Sequence, residues 1–216
     1  MSARPAASKH SSWVYTEQLA EGADPFAEVR HRAAEMGVEV VSPAVAATLT
    51  VLSSAVRAEA VVDVGTGVGL SAAALLRGAS PQAVLTGIDP APDSAEEARR
   101  TLRHYAPTGT RHRLIAQQAE QVLPRLAAGS YDLVFCDAGA QTADQCTEDA
   151  IRLLRGGGLL ILHDALDQDR VPRPAVREET TQRMRGVHTR LVEDPRLHST
   201  LLATGAGLFV SVRRAA

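Results

Sequence analysis

From residue 60 onward, short apolar runs alternate with segments of helical period, and no other feature of the chain constrains its fold as much. The runs are AVVDV (60–64), AVLTGID (83–89), RLIAQ (113–117), YDLVFCD (131–137) and GLLILHD (158–164). Between them, GLSAAALLRG, DSAEEARRTLRHY, AEQVLPRLAAG and TADQCTEDAIRLLRGGG all read as helices. Buried strands separated by helices cannot pair as hairpins; each connection is a crossover, so the sheet is parallel and wrapped on both faces. After a further helix with Val176, Thr180, Met184, Val187 and Leu191 on one face, STLLATGAGLFVSVRR (199–214) reads as two strands around a glycine turn. That closing hairpin puts an antiparallel strand into the sheet.

The expected fold class is therefore α/β: a Rossmann-like, doubly wound, mostly parallel seven-stranded sheet with helices on both faces and a C-terminal antiparallel hairpin. Residues 1–10 read as a flexible tail and 11–216 as one domain, with N-terminal helices in 11–57 and the Rossmann-like core in 58–216. In the first part, Asp24 with Pro25 and Ser42 with Pro43 each look like a cap followed by a proline at the first helical position. A net charge of -2 and 3% aromatic residues offer neither the charge nor the stacking that nucleic acid needs. No run is apolar enough for a signal peptide or a membrane span, so no membrane partner and a cytoplasmic location are expected. Cys136 and Cys146, the only cysteines, are too few for a disulfide framework; packed thiols in a reducing compartment are the expectation.

In a doubly wound sheet the ligand lies at the carboxyl ends of the strands, near the switch in strand order. Three of the apolar runs end in an acid, Asp89, Asp137 and Asp164, and Asp63 precedes the glycine turn of VVDVGTGVGLSAA (61–73). Carboxylates are costly to bury without donors, so their recurrence at one edge points to a ligand rich in donors or positive charge. A dinucleotide fingerprint needs glycines at relative positions one, three and six. Gly65 and Gly67 fit, but the sixth position is Leu70, and Asp63 would sit close to a pyrophosphate.

An acid, then Gly-x-Gly-x-Gly, then an acid closing the next strand resembles the class I S-adenosylmethionine-dependent methyltransferases. The stretches GTGVGLS, GIDPAPDSAEEAR, QQAEQVLPRL, YDLVFCDAG and IRLLRGGGLLILHDAL narrow the resemblance to the cation-dependent O-methyltransferases, which include catechol and caffeoyl-CoA O-methyltransferases. It covers residue 24 onward. The resemblance implies S-adenosylmethionine as cofactor, with Asp63 toward its amino group, the backbone of Gly65 and Gly67 along the methionine part, and Asp89 accepting from the ribose hydroxyls. It also implies Val41 and Thr66 beside the methionine, Ser71 on the cofactor carboxylate, and the Ala119 backbone at the adenine.

In that family three side chains hold Mg2+ or another divalent cation, which binds the acceptor oxygens while a lysine takes the proton. Asp137 matches the first metal ligand, is the catalytic candidate and is also implied as a cofactor-binding residue; Asp164 matches the second. The third position is Ala165, and the lysine position is Ala140; Lys9 is the only lysine in the chain. His163 is a candidate base, set against the reading that strand alternation turns it into the core. The segment ALDQDRVPRPAVREETTQ is expected to wall the acceptor site, with Arg170, Arg173 and Arg177 either attracting an anionic acceptor or merely solvated. The implied function is methyl transfer to an oxygen of a small molecule by a homodimer, with metal dependence in doubt. The competing readings are a cofactor-binding sensor or scaffold without transfer activity, and a nicotinamide-dependent oxidoreductase.

Overall fold

A computed structural model of the chain describes residues 9–215. The expected tail falls mostly outside these residues, and Lys9 and His10 already belong to the first helix, α1 (Lys9–Glu21). Two more helices precede the sheet, α2 (Ala27–Glu35) and α3 (Pro43–Ala55). The start of α3 is as expected: Ser42 Oγ accepts from the Val45 amide at 3.3 Å and Pro43 occupies the first turn. At α2 the expected cap sits outside the helix. The Asp24 carboxylate instead accepts from the Phe26 amide and from Arg30, and Phe26 holds the cap position.

The core alternates β1 (Ala60–Val64), α4 (Leu70–Gly78), β2 (Val84–Ile88), α5 (Pro92–Tyr105), β3 (Arg111–Ile115), the single-turn α6 (Ala119–Val122), β4 (Tyr131–Cys136), α7 (Ala143–Leu153), β5 (Leu154–Leu162), α8 (Glu179–Glu193), β6 (Leu197–Leu202) and β7 (Leu208–Arg213). The sheet has seven strands in the order β3-β2-β1-β4-β5-β7-β6, and β7 alone runs against the rest. The expected fold class is the observed one. Among the described residues no helix is long and apolar enough to cross a membrane.

Period-two alternation decides what each strand residue meets. Val61, Leu85, Leu133, Phe135, Leu159 and Ile161 pack on the face that α3 and α4 cover. Val62, Val64, Val134, Cys136, Leu160 and Leu162 pack on the opposite face, under α7 and α8. Each such fully buried side chain contributes about 1.5–3 kcal/mol. The same alternation sends Asp63, two residues after Val61, toward α4, and sends Cys136 toward α7. There Cys136 is joined to Cys146 by a disulfide, with the Cα atoms 6.6 Å apart. This corrects the expectation of packed thiols: sequence spacing alone did not show that strand parity and the first turn of α7 would bring the two sulfurs together. It also removes the free thiols on which the expectation of a reducing compartment rested.

Two boundaries shift. β3 lies two residues earlier than the apolar run suggests, because it is an edge strand whose first half, Arg111 to Arg113, is exposed and polar. The Gly156–Gly158 run, read as the end of α7, is part of β5, and the pairing of β4 with β5 shifts register between Tyr131 and Leu133 to accommodate it. At its other end β5 stops at Leu162, and His163 and Asp164 lie beyond the strand.

Helices α3 and α4 pack so tightly that a Cβ on Gly78 would overlap the Thr50 carbonyl. Gly78→Ala is therefore expected to cost roughly 1–3 kcal/mol and lower the thermal midpoint by several degrees. An unchanged midpoint in calorimetry would contradict this packing.

Candidate active site

Hydrogen bonds of the sheet continue past the strand ends and set the site. The Gly65 amide donates to the Ile88 carbonyl at 2.8 Å, the Asp137 amide to Val64 at 2.8 Å, and the His163 amide to Cys136 at 2.9 Å. The switch in strand order falls between β1 and β4, so the turn after β1 and the loop after β4 face each other there. They approach so closely that a Cβ on Gly65 would overlap the Asp137 carbonyl, and Gly65 has φ +82°. Only glycine satisfies both conditions.

A cavity of about 780 Å³ opens at this edge. Its lining includes Gly65, Gly67, Asp89, Asp137, His163 and Asp164, and contains no lysine or arginine. A second cavity of about 280 Å³ shares Gly65, Asp89 and Asp137 with it and extends to Ala119 and Gln118. The structure thus gathers most of the expected residues at one place. Thr66, Val41 and Ser71 line a narrow cleft beside Gly65, Gly67 and Asp137.

Asp89 lies between the two cavities with its carboxylate fixed: Oδ2 accepts from the Gly67 amide and Oδ1 from the Ala91 amide, each at 2.8 Å. Each oxygen retains a lone pair for a further donor. Asp63 is different. It is completely buried, absent from the cavity linings, and lies beneath the glycine turn. Ser71 Oγ donates to its Oδ2 at 3.0 Å, while Oδ1 has no partner. Ser71 has one hydroxyl proton, and here it goes to Asp63 rather than toward the cavity, as the expected contact with a carboxylate would require.

Burial pushes the Asp63 carboxyl up to about 7, against the hydrogen bonds of Ser71 and Thr66 and with the repulsion of Asp137 and Asp89 added. The folded chain therefore holds a proton here that the unfolded chain loses near its ordinary value of 3.8. Stability contributed by this residue falls as pH rises through that interval and stays low above it.

His163 and Asp137 form a pair. His163 Nδ1 is 2.8 Å from Asp137 Oδ1, and the imidazole is mostly covered, with 13% of its side chain exposed. Burial pulls the imidazole down, but the hydrogen bond and charge of Asp137, joined by Asp164, outweigh it and hold the group above its usual value. The expectation that strand alternation would turn His163 into the core fails because β5 has already ended. Sequence reasoning could have found it only by placing the strand end two residues earlier.

Asp164 begins a loop in which four non-glycine residues, Asp164, Asp167, Gln168 and Asp169, have φ between +48° and +62°. Such conformations cost of order 1–3 kcal/mol each and persist only where the surroundings enforce them. Asp164 Oδ1 accepts from the Gln168 amide at 3.0 Å, and burial pushes its carboxyl above the ordinary range. Arg185, on α8, pins the loop by donating to the carbonyls of Arg170, Val171, Arg173 and Val176. Only Asp164 and Gln168 of this loop line the larger cavity. Arg170 turns to Asp167 and Glu178, and none of Arg170, Arg173 and Arg177 lines the larger cavity.

The donor set does not fit the divalent site of the resembled family. Asp137 Oδ1 is paired with His163, Asp164 Oδ1 accepts a backbone amide, and the third position is the buried, oxygen-free side chain of Ala165, so two side chains remain where the family uses three. Among the described residues no group of three or more His, Cys, Asp or Glu side chains gathers as a metal would need. Asp137 and Asp164 are accordingly not assigned as metal ligands.

The Asp63 burial can be checked without any ligand. Asp63→Asn is expected to match the wild type in urea unfolding near pH 4 and to exceed it above pH 7, by up to about 4 kcal/mol from the interval between 3.8 and about 7. An equal difference at both pH values would contradict the assignment.

With this geometry in view, the relatives are informative. Residues 15–214 match the family model of the O-methyltransferases. A Mycobacterium ulcerans protein with an O-methyltransferase name is 40% identical over 184 residues, covering 85% of this chain and 82% of that protein. A crystal structure of a Corynebacterium glutamicum protein superposes with a TM-score of 0.85 at 26% identity, over 95% of this chain and 98% of the other. The Bacillus cereus O-methyltransferase in complex with S-adenosylhomocysteine shares the fold, with a TM-score of 0.74 at 21% identity, over 93% and 91% of the two chains. A family match across nearly the whole length, together with a relative at this identity, means that the chain belongs to the O-methyltransferase family.

Proposed function

We propose that this chain binds S-adenosylmethionine at the switch point and transfers its methyl group to an oxygen of a small hydroxylated molecule, without a divalent cation held by Asp137 and Asp164. The observation that carries the reading is the Asp89 carboxylate, immobilised by two backbone amides between the two cavities. A diol held there gives both hydroxyl protons to one preorganised acceptor. The unpartnered Asp63 Oδ1 supports the reading from below, since a buried oxygen without a donor beneath the glycine turn suits a bridging water that links it to a cationic ammonium group.

When bound, the donor supplies a methyl group on a cationic sulfur that an oxygen nucleophile can take in one displacement. The chain's part is to bind and orient. Asp89 receives the ribose hydroxyls, the Ala119 backbone borders the base in the smaller cavity, and Gly65, Gly67 and Val41 line the methionine part. The remaining volume of the larger cavity, bounded by His163, Asp164 and Gln168, is left for the acceptor. The Bacillus cereus O-methyltransferase, which has the same fold, is in complex with S-adenosylhomocysteine, which supports the choice of donor.

Titration of S-adenosylhomocysteine by calorimetry is expected to show binding whose affinity does not change when Mg2+ is added. Losing a hydrogen bond to a charged group is worth roughly 1.5–3 kcal/mol, so Asp89→Ala should weaken binding about tenfold to a hundredfold. A folded wild-type protein that does not bind would overturn the assignment.

A further inference from the structure

The family resemblance assigns proton removal to a lysine and oxygen orientation to a metal, and this chain carries alanine at both the lysine position, Ala140, and the third ligand position, Ala165. If methyl transfer to oxygen proceeds here, as proposed above, some other group must take the acceptor's proton. The candidates are limited by what lines the larger cavity. Its titratable groups are Glu39, Asp89, Asp137, His163 and Asp164.

Four of these are carboxylates, and three already have assignments: Asp89 to the Gly67 and Ala91 amides, Asp137 to His163, and Asp164 to the Gln168 amide. Glu39 is exposed at the rim. His163 is the exception in type and in geometry. Its Nδ1 is tied to Asp137 at 2.8 Å, while Nε2 has no hydrogen-bond partner among the described residues. A carboxylate on one ring nitrogen fixes the ring's orientation and favours the tautomer with its proton on Nδ1, which leaves the lone pair on Nε2. An imidazole so held is closer in basicity to a hydroxylated aromatic than any free carboxylate is.

We propose that His163, oriented by Asp137, is the general base of this enzyme and takes the acceptor's hydroxyl proton on Nε2. The O–H bond breaks toward Nε2, the freed pair on oxygen forms the bond to the methyl carbon, and the carbon–sulfur bond breaks with its pair returning to sulfur. The products are a methyl ether, neutral S-adenosylhomocysteine and an imidazolium, which later returns its proton to water. Nothing is oxidised or reduced. His163 is then a catalytic residue and Asp137 a positioning residue. The charged groups facing the ring are Asp137 at the end of β4, its own neighbour Asp164, and Glu39 and Asp89 elsewhere on the cavity wall. All are acidic, so the base form should appear at a pH above the ordinary histidine range.

The test has one arm that needs no acceptor. Nitrogen-15 NMR of the wild type with S-adenosylhomocysteine, with the His163 signals assigned by their loss in His163→Gln, is expected to show a neutral ring protonated on Nδ1 and a titrating Nε2. A neutral ring protonated on Nε2, or a ring that keeps one state from about pH 6 to about pH 9, overturns the proposal. In the second arm, methyl transfer to a panel of mono- and dihydroxylated aromatics is measured in the presence of chelator. His163→Gln is expected to lower kcat by about 10²–10⁴-fold and to remove the acidic limb of the pH profile, with S-adenosylhomocysteine affinity kept within about threefold. Asp137→Asn should shift that limb rather than erase it. A His163→Gln enzyme with wild-type kcat and pH profile overturns the proposal. Failure of the wild type to bind S-adenosylhomocysteine would instead count against the donor assignment, so the two failures are distinguishable.

Discussion

The pairing of β4 between β1 and β5 is the constraint on which the site depends. Three parallel strands in register end together, and their last backbone bonds run on into the turns: Gly65 to Ile88, Asp137 to Val64, His163 to Cys136. Those bonds fix the backbone from which Gly65, Asp137 and His163 project. The side chains then have little freedom left. A one-residue slip in β5 would reverse every inward and outward side chain of that strand, and His163 would no longer stand beside Asp137. The glycines of the β5 entry and the register shift at Tyr131 are thus part of what aligns the catalytic pair.

The same backbone geometry explains how a chain with so many acids at one edge remains folded. Asp89 is satisfied by amides, Asp137 by an imidazole, and Asp164 by the loop it begins. Asp63 is the exception, buried with one oxygen unpartnered and its carboxyl pushed up to about 7. Strain adds to this picture at the loop after β5, where four non-glycine residues are left-handed: Asp164 accepts from the Gln168 amide, Arg170 and Thr181 donate to Asp167, and Arg185 from α8 holds the stretch that follows. A wall held this firmly presents Asp164 and Gln168 in one arrangement, which suits a site that must place an acceptor oxygen without help from a metal.

Much of this was legible in the sequence because it follows from period and chemistry. Alternating runs gave the parallel sheet, the glycine turn located the switch point, and Asp89 and Asp137 were found as acids leaving strands. What was missed depended on strand ends and tertiary approach. His163 was set against a core reading because the apolar run continues to it, whereas the strand stops at Leu162. The Cys136–Cys146 bond required knowing that strand parity points Cys136 at α7. The depth of Asp63 and the redirected proton of Ser71 could not be read from spacing, since both depend on how α4 settles over β1. Of the arginines after β5, read either as an anion site or as a solvated surface, Arg170 pairs with Asp167 and Glu178, which spacing alone did not show.

The central claim is that methyl transfer proceeds on the chain's own residues, with no metal bridging Asp137 and Asp164. The most direct measurement is the rate of labelled methyl transfer from S-adenosylmethionine to a hydroxylated aromatic acceptor, before and after exhaustive chelation, with Mg2+ then restored. The account requires the rate to persist under chelation and to gain nothing from Mg2+. A rate abolished by the chelator and recovered with the metal would contradict it.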